Sequence, residues 1–169
     1  AHPLAMPTEE AALLQSIAVF AQNSRDYTEA VRLFDALASQ REKHSDPEVQ
    51  AAALHQLGII SEERRDFDAA EAWYKKSLEI TERLGNEHGA ASTYHQLGRI
   101  SQERRDFDAA EAWYKKSLEI EERLGDEYGA AITYHQLGII SEERRDFDAA
   151  EAWYKKSLEI TERLGDEHG

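Results

Sequence analysis

The sequence contains no cysteine, which excludes disulfides and thiolate metal sites from the outset. Proline is scarce, with three residues, and glycine stands at nine. A long helical chain tolerates that composition, whereas an all-β chain with many tight turns does not. No apolar run approaches the roughly 20 residues needed to span a bilayer. The first six residues, Ala1 to Met6, are too short and too polar for a secretory leader. Positive charge is also in deficit: 20 Lys and Arg against 34 Asp and Glu leave a formal net charge of −14. Nucleic acid and anionic membrane carry the same sign and repel such a surface, so neither is expected as a partner. What is present is 41% hydrophobic and 32% charged residues, enough of both for a packed fold rather than a disordered tail. A cytoplasmic location is the default expectation.

Internal repetition dominates the rest. The string DFDAAEAWYKKSLEI occurs at 66–80, 106–120 and 146–160, a period of 40. Residues 50–89 and 130–169 differ only at positions 50, 52, 53, 54 and 86. Residues 10–49 fit the same register without a gap: Asp26-Tyr27 aligns with Asp66-Phe67, Ala30 with Ala70, and Phe34 with Tyr74. The chain therefore reads as four repeats, at 10–49 (diverged), 50–89, 90–129 and 130–169. Residues 1–9 form an N-terminal extension, part of which expression engineering could have added ahead of a start near Met6.

Each repeat has the pattern of two helices. The first, over about 50–64, carries Ala51, Leu54, Leu57, Gly58 and Ile60 on one face. Asp46-Pro47-Glu48 marks its start in the second repeat, an acceptor at the cap followed by proline at the first helical position. The second helix is expected to begin at Asp68, with Glu71 reaching back, and to end at Leu84 with Gly85 as its left-handed terminator. Glu71, Lys75, Glu79 and Arg83 alternate in sign four residues apart. That spacing makes a solvated face held by i,i+4 pairs of about 0.2–0.5 kcal/mol each, in preference to a docking ridge. The inner face is expected to hold Ala70, Trp73, Tyr74, Ser77, Leu78 and Leu84. Trp73, Trp113 and Trp153 are read as packing residues ahead of a ligand-stacking stripe.

In this register the repeat resembles the tetratricopeptide repeat over about 160 residues. The family's small residue in the first helix matches Gly58, Gly98 and Gly138, with Ala18 in the diverged repeat. Its preceding leucine matches Leu57, Leu97 and Leu137, and its second-helix alanine matches Ala70, Ala110 and Ala150. Its aromatic four residues later matches Tyr74, Tyr114 and Tyr154, and its next small residue matches Ser77, Ser117 and Ser157. The period of 40 exceeds the usual 34 or so, and the closing proline is missing, as in the long-period repeats of kinesin light chains and bacterial signalling proteins. Where those relatives often have Asp-His-Pro in the connector, this chain has His88-Gly89.

The resemblance implies an all-α fold, a right-handed α-α superhelix (solenoid) of four stacked helical hairpins whose first helices line a concave groove. It also implies a protein-binding scaffold that accepts an extended peptide or a partner helix. The helix period places His55, Gln56, Ile59, Glu62 and Glu63 on the groove face of repeat two. Repeat three offers His95, Gln96, Arg99, Gln102 and Glu103, and repeat four His135, Gln136, Ile139, Glu142 and Glu143. Repeat one offers Gln15, Ser16, Val19, Gln22 and Asn23. In the long-period relatives an Asn-Asn pair commonly stands where this chain has His-Gln, and Gln and His carry donors and acceptors for similar contacts with a peptide backbone. The three His-Gln pairs are thus either a polar ladder that reads main-chain groups or an idle repeated surface. Arg99 breaks the repeat pattern; it either anchors a carboxylate or phosphate of the partner or pairs with glutamates such as Glu62 or Glu103. The groove lacks the lysines and asparagines with which chaperone-binding relatives clamp a terminal carboxylate.

Catalysis is not expected, because no convergent set of titratable groups is visible. His55, His95 and His135 are repeat-equivalent, and His88 and His168 occupy another repeat-related pair of sites. Equivalent residues on stacked helices lie roughly 10 Å apart, too far for one metal ion with ligands at about 2 Å. No cofactor and no metal are therefore expected. A second reading is self-assembly or a spacer role within a larger protein. The fourth repeat has no polar capping helix after it, which repeat arrays normally need. The chain either continues beyond 169 in the native protein, the favoured alternative, or forms a homo-oligomer through the exposed terminal repeat.

Overall fold

The computed structural model describes residues 16–19, 21, 22, 26–39 and 46–167, and all regular structure among them is helical. The chain divides into two compact units, Ala1–Asn86 and Glu87–Gly169. In the first unit, residues 16–19, 21 and 22 are helical and precede α1 (Tyr27–Ala38), α2 (Pro47–Glu63) and α3 (Phe67–Leu84). The second holds α4 (Glu87–Glu103), α5 (Phe107–Leu124), α6 (Glu127–Glu143) and α7 (Phe147–Glu167).

Helices α2 and α3 form an antiparallel hairpin, and α4 with α5 and α6 with α7 repeat it. The first helix of each hairpin leaves a gap in its side-chain surface at glycine. A Cβ at Gly58 would lie 2.4 Å from the Tyr74 ring, at Gly98 2.7 Å from Tyr114, and at Gly138 2.4 Å from Tyr154. The gap at these glycines is thus filled by the tyrosine of the second helix. One turn further on, Ser77 Oγ donates to the Ala51 carbonyl at 2.8 Å, and Ser117 and Ser157 do the same to Ala91 and Ala131. A small side chain is needed there because the donor must reach the partner backbone itself. In the first unit Phe34, Leu37, Leu54, Leu57 and Ile60 pack in one buried cluster. In the second, Tyr114, Leu118, Tyr134, Leu137 and Ile140 do so.

The hairpin turns differ from expectation. Asp66, not Asp68, caps the second helix: its Oδ1 accepts from Ala69 N at 3.1 Å, and Asp106 and Asp146 cap in the same way. The cause is the residue before it. Arg65, Arg105 and Arg145 adopt φ of 60°, 61° and 62°, and this left-handed step turns the chain at once into the new helix. Asp66 N then donates to the Ser61 carbonyl, closing the first helix. Asp68 falls in the first turn, where its charge complements the helix dipole. Glu71 does not serve in the cap but accepts from Lys75 Nζ at 2.6 Å. Asp46 and Pro47 start α2 as the sequence indicates, and Gly85 ends α3 at φ 68°. Helix α2 begins at Pro47 rather than near 50, and His88 and Gly89, read as connector, belong to the first turn of α4. Leu84 is 39% exposed instead of inward. Its antiparallel partner, which meets Ser77 at Ala51, starts at Pro47 and has no length left to cover it.

Candidate partner-binding surface and an adjoining cavity

Each first helix buries its leucine, its glycine and the isoleucine two residues after the glycine, and turns another stripe away from the core. In α2, Leu57, Gly58 and Ile60 are buried, while His55, Gln56, Ile59 and Glu62 are half-buried. In α4, His95, Gln96 and Gln102 are half-buried and Arg99 is exposed. In α6, Gln136 and Ile139 are half-buried, and His135 and Glu142 are exposed. Glu63, Glu103 and Glu143 are exposed at the helix ends. Of the first-repeat residues, Ser16 and Val19 are exposed and Gln22 half-buried; Gln15 and Asn23 lie outside the described residues.

The structure binds several of these side chains into the hairpin. Each histidine sits against the tyrosine of its own hairpin: His55 on the buried Tyr74 and His95 on the buried Tyr114 at 5.1 Å, and His135 on the half-buried Tyr154 at 5.3 Å. The tyrosine hydroxyls donate to Glu62 Oε2 (3.1 Å), Gln102 Oε1 (3.0 Å) and Glu142 Oε2 (2.9 Å). Position 62 and its equivalents therefore satisfy the polar tip of the tyrosine that fills the glycine gap. Burial pushes the His55 and His95 imidazoles down to about 4, with the Arg99 cation adding to the effect at His95. Both rings are neutral at pH 7. Arg99 Nη1 donates to Gln96 Oε1 at 3.2 Å.

The second helices carry the features that sequence reasoning left open. Trp113 stacks on Tyr94 and Trp153 on Tyr134, each at 5.7 Å, and Lys116 and Lys156 cover both rings of their pair. The tryptophans are packing residues in this arrangement. Tyr94 and Tyr134, their partners, stand where the second repeat has Leu54 and were not singled out from the sequence. The expected charge ladder is present where Lys75, Lys115 and Lys155 pair with Glu71, Glu111 and Glu151 at 2.6 Å. Arg144 adds a contact between hairpins in the second unit, to Asp108 and Glu111.

Beside His95 and Gln96 lies a cavity of about 200 Å³, walled also by Glu121 and Leu124 of α5 and by Asp126, Gly129 and Ile132 around the start of α6. Glu121 was not singled out from the sequence, although a signal existed: residues 106–125 match 66–85 everywhere except where Glu121 replaces Thr81. Burial raises its carboxyl above the usual range, with Asp126 and Glu122 adding and the hydroxyls of Thr133 and Ser117 opposing. Among the described residues no group of three or more His, Asp or Glu side chains is arranged to hold a metal ion. No helix among them is long and apolar enough to cross a membrane.

The sequence profile of the tetratricopeptide repeat matches residues 9–83, 49–123 and 89–163. No curated protein sequence matches the chain. Among solved structures, BtubC (BKLC) from P. vanneervenii is similar with a TM-score of 0.80 and 26% identity, over 90% of this chain and 64% of that one. Aspartyl phosphate phosphatase F from Bacillus subtilis gives 0.86 at 12% identity, over 94% of this chain and 42% of that one. The apo form of RapI gives 0.85 at 17% identity, over 96% and 60%. The last two likenesses show a shared helical-repeat fold alone. The chain spans less than two thirds of the length of each of these proteins.

Proposed function

The chain belongs to the tetratricopeptide-repeat family, and we propose that it is a protein–protein interaction scaffold whose first helices hold an extended segment or a helix of a partner. One observation carries the reading. In the second unit α4 and α6 bury their leucine, glycine and the isoleucine two residues later, while Gln96 and Gln136, with Arg99 one turn on, stay outside the core at repeating positions. Amides spaced this way present donors and acceptors to a peptide backbone, and Arg99 offers a guanidinium for an acidic group. The histidines have a supporting part, since two of them are neutral and packed on tyrosine. No reaction is assigned to the surface.

The test is selection of binding peptides from a displayed library, followed by titration against a Gln96→Ala, Arg99→Ala, Gln136→Ala variant. Removing two amides and a guanidinium weakens the selected peptides by more than about tenfold, at 0.5–1.5 kcal/mol per lost hydrogen bond and more for a charged one. Equal affinity for a variant with an unchanged melting curve would place binding elsewhere. A second reading, association through the last hairpin, is favoured by the exposure of Leu158 at 54%, whereas its equivalent Leu118 is 7% exposed in the cluster with α6.

A further inference from the structure

Among the positions at which α1 and α2 depart from α5 and α6, two remove bulk at one place. Residue 54 is leucine where α6 has Tyr134, and residue 38 is alanine where α5 has Leu118, each two periods of 40 further on. In the second unit the two larger side chains meet. Tyr134 packs in one buried cluster with Leu118 and Leu137, stacks on Trp153 at 5.7 Å and donates its hydroxyl to Glu122 of α5. Lys156 covers both rings of the stack. The ring of Tyr134 thus bridges α5 and the tryptophan of α7.

The first unit keeps the tryptophan, as Trp73 of α3, and the lysine, as Lys76, whose Nζ lies 4.5 Å from the indole centroid. It lacks the second ring: among the described residues nothing aromatic stacks on Trp73, which is half-buried. A cavity of about 450 Å³ opens there, walled by Ala38, Leu54, Trp73 and Ile80. Alanine and leucine leave empty what leucine and tyrosine fill in the second unit, and a packed fold does not collapse fully onto such a gap. Gln50 Nε2 donates to the Ala38 carbonyl at 2.8 Å, which ties α2 to α1 beside the cavity. We propose that this cavity receives an aromatic side chain of a partner protein, a tyrosine ring lying on Trp73 as Tyr134 lies on Trp153. An indole face is large apolar area, and an offset ring covers it with a stacking gain beyond that of burial alone. The wall also carries Asp35 and Glu79 against Lys76 and Arg83, a balance that selects neither sign of charge and favours an uncharged group. The proposal deepens the scaffold reading and rests on it for the source of the ring.

The experiment uses blocked tripeptides, acetyl-Ala-Tyr-Ala-amide and the same peptide with leucine for tyrosine, titrated into the full chain by ¹⁵N–¹H correlation spectroscopy. The tyrosine peptide shifts the Trp73 indole N–H and the amides of Ala38, Leu54 and Ile80 saturably, while the indoles of Trp113 and Trp153, already stacked, stay in place. The leucine peptide binds at least about fivefold more weakly. Leu54→Tyr and Ala38→Leu each restore a residue that the fold already packs in the second unit, and each loses the tyrosine peptide by a similar factor. Equal binding of the two peptides, retention of the tyrosine peptide by either folded variant, or no saturable shift in the wild type would overturn the proposal. The two readings fail separately. Displayed peptides lost by the Gln96, Arg99, Gln136 variant but indifferent to Leu54→Tyr keep the scaffold and remove the ring pocket. A tyrosine peptide held on Trp73 and lost by Leu54→Tyr, while displayed peptides bind the triple variant normally, does the reverse.

Discussion

His55 and His95 occupy repeated positions that a sequence marks as surface, yet each is packed on a buried tyrosine. Their folded-state values of about 4 lie below the ordinary 6.5 because burial disfavours the imidazolium. The unfolded chain therefore binds more protons between these two values, and stability is full above 6.5 and is lost as pH falls toward 4. Each half-buried ring accounts for on the order of 1–2 kcal/mol between pH 7 and pH 5. Urea unfolding at the two pH values checks this. His55→Gln loses less stability than the wild type on acidification, and equal losses would show that His55 does not carry the effect. Glu121 acts with the opposite sign: its raised carboxyl favours the folded state at low pH and weakens that contribution as pH rises above 4.5.

Within an element, the decisive positions are where backbone and side chain compete for space. Gly98 sits mid-helix, where alanine brings about 1 kcal/mol of helix propensity. The added Cβ would meet the ring of Tyr114, which is fully buried and pinned by its hydroxyl on Gln102. Overpacking costs about 1–3 kcal/mol, so Gly98→Ala is net destabilising and lowers the thermal midpoint; an unchanged or higher midpoint in calorimetry would show that the ring yields. The turn between paired helices competes differently. Arg145 holds φ 62°, a left-handed conformation costing a side-chain-bearing residue about 1 kcal/mol relative to glycine. Arg145→Gly should thus raise stability by about that amount, after allowing for glycine's greater unfolded-state entropy. Arg65→Gly gains less, because Arg65 lies over the Phe67 ring at 5.3 Å and that contact, about 0.5–1 kcal/mol, is lost. Parallel urea titrations of the two variants rank them, and a larger gain at Arg65 would contradict the assignment.

For the whole molecule, the last hairpin carries the open question of assembly. Helix α7 exposes Phe147 and Leu158, while α5 has Leu118 packed in one cluster with Ala130 and Leu137 of α6. A single exposed leucine is ordinary, but two large apolar residues on a helix whose equivalent is covered form a surface that favours association. If that face joins copies, sedimentation velocity shows a mass that rises with concentration, and Leu158→Glu returns the chain to monomer. A concentration-independent monomer in the wild type removes the assembly reading and leaves the scaffold.

What the sequence determined by itself is the periodic part of the protein. The 40-residue register aligned Gly58, Tyr74 and Ser77 with their copies and put Gly85 at a left-handed stop, because each copy meets the same local rules of period, size and φ. It also marked the surface stripe from His55 to Glu142, whose neighbours on the buried side are apolar. Tertiary structure decided what repetition hides. Asp66 rather than Asp68 caps the helix because Arg65 adopts a left-handed conformation, which no pattern of side chains announces. Burial pushed the His55 and His95 imidazoles below their usual range, and Glu62, Gln102 and Glu142 became partners of tyrosine hydroxyls, because burial and hydrogen bonding depend on the facing helix. Glu121 was one changed letter in a copied string; only packing against Ser117 and Thr133 turned it into a buried carboxyl beside a cavity.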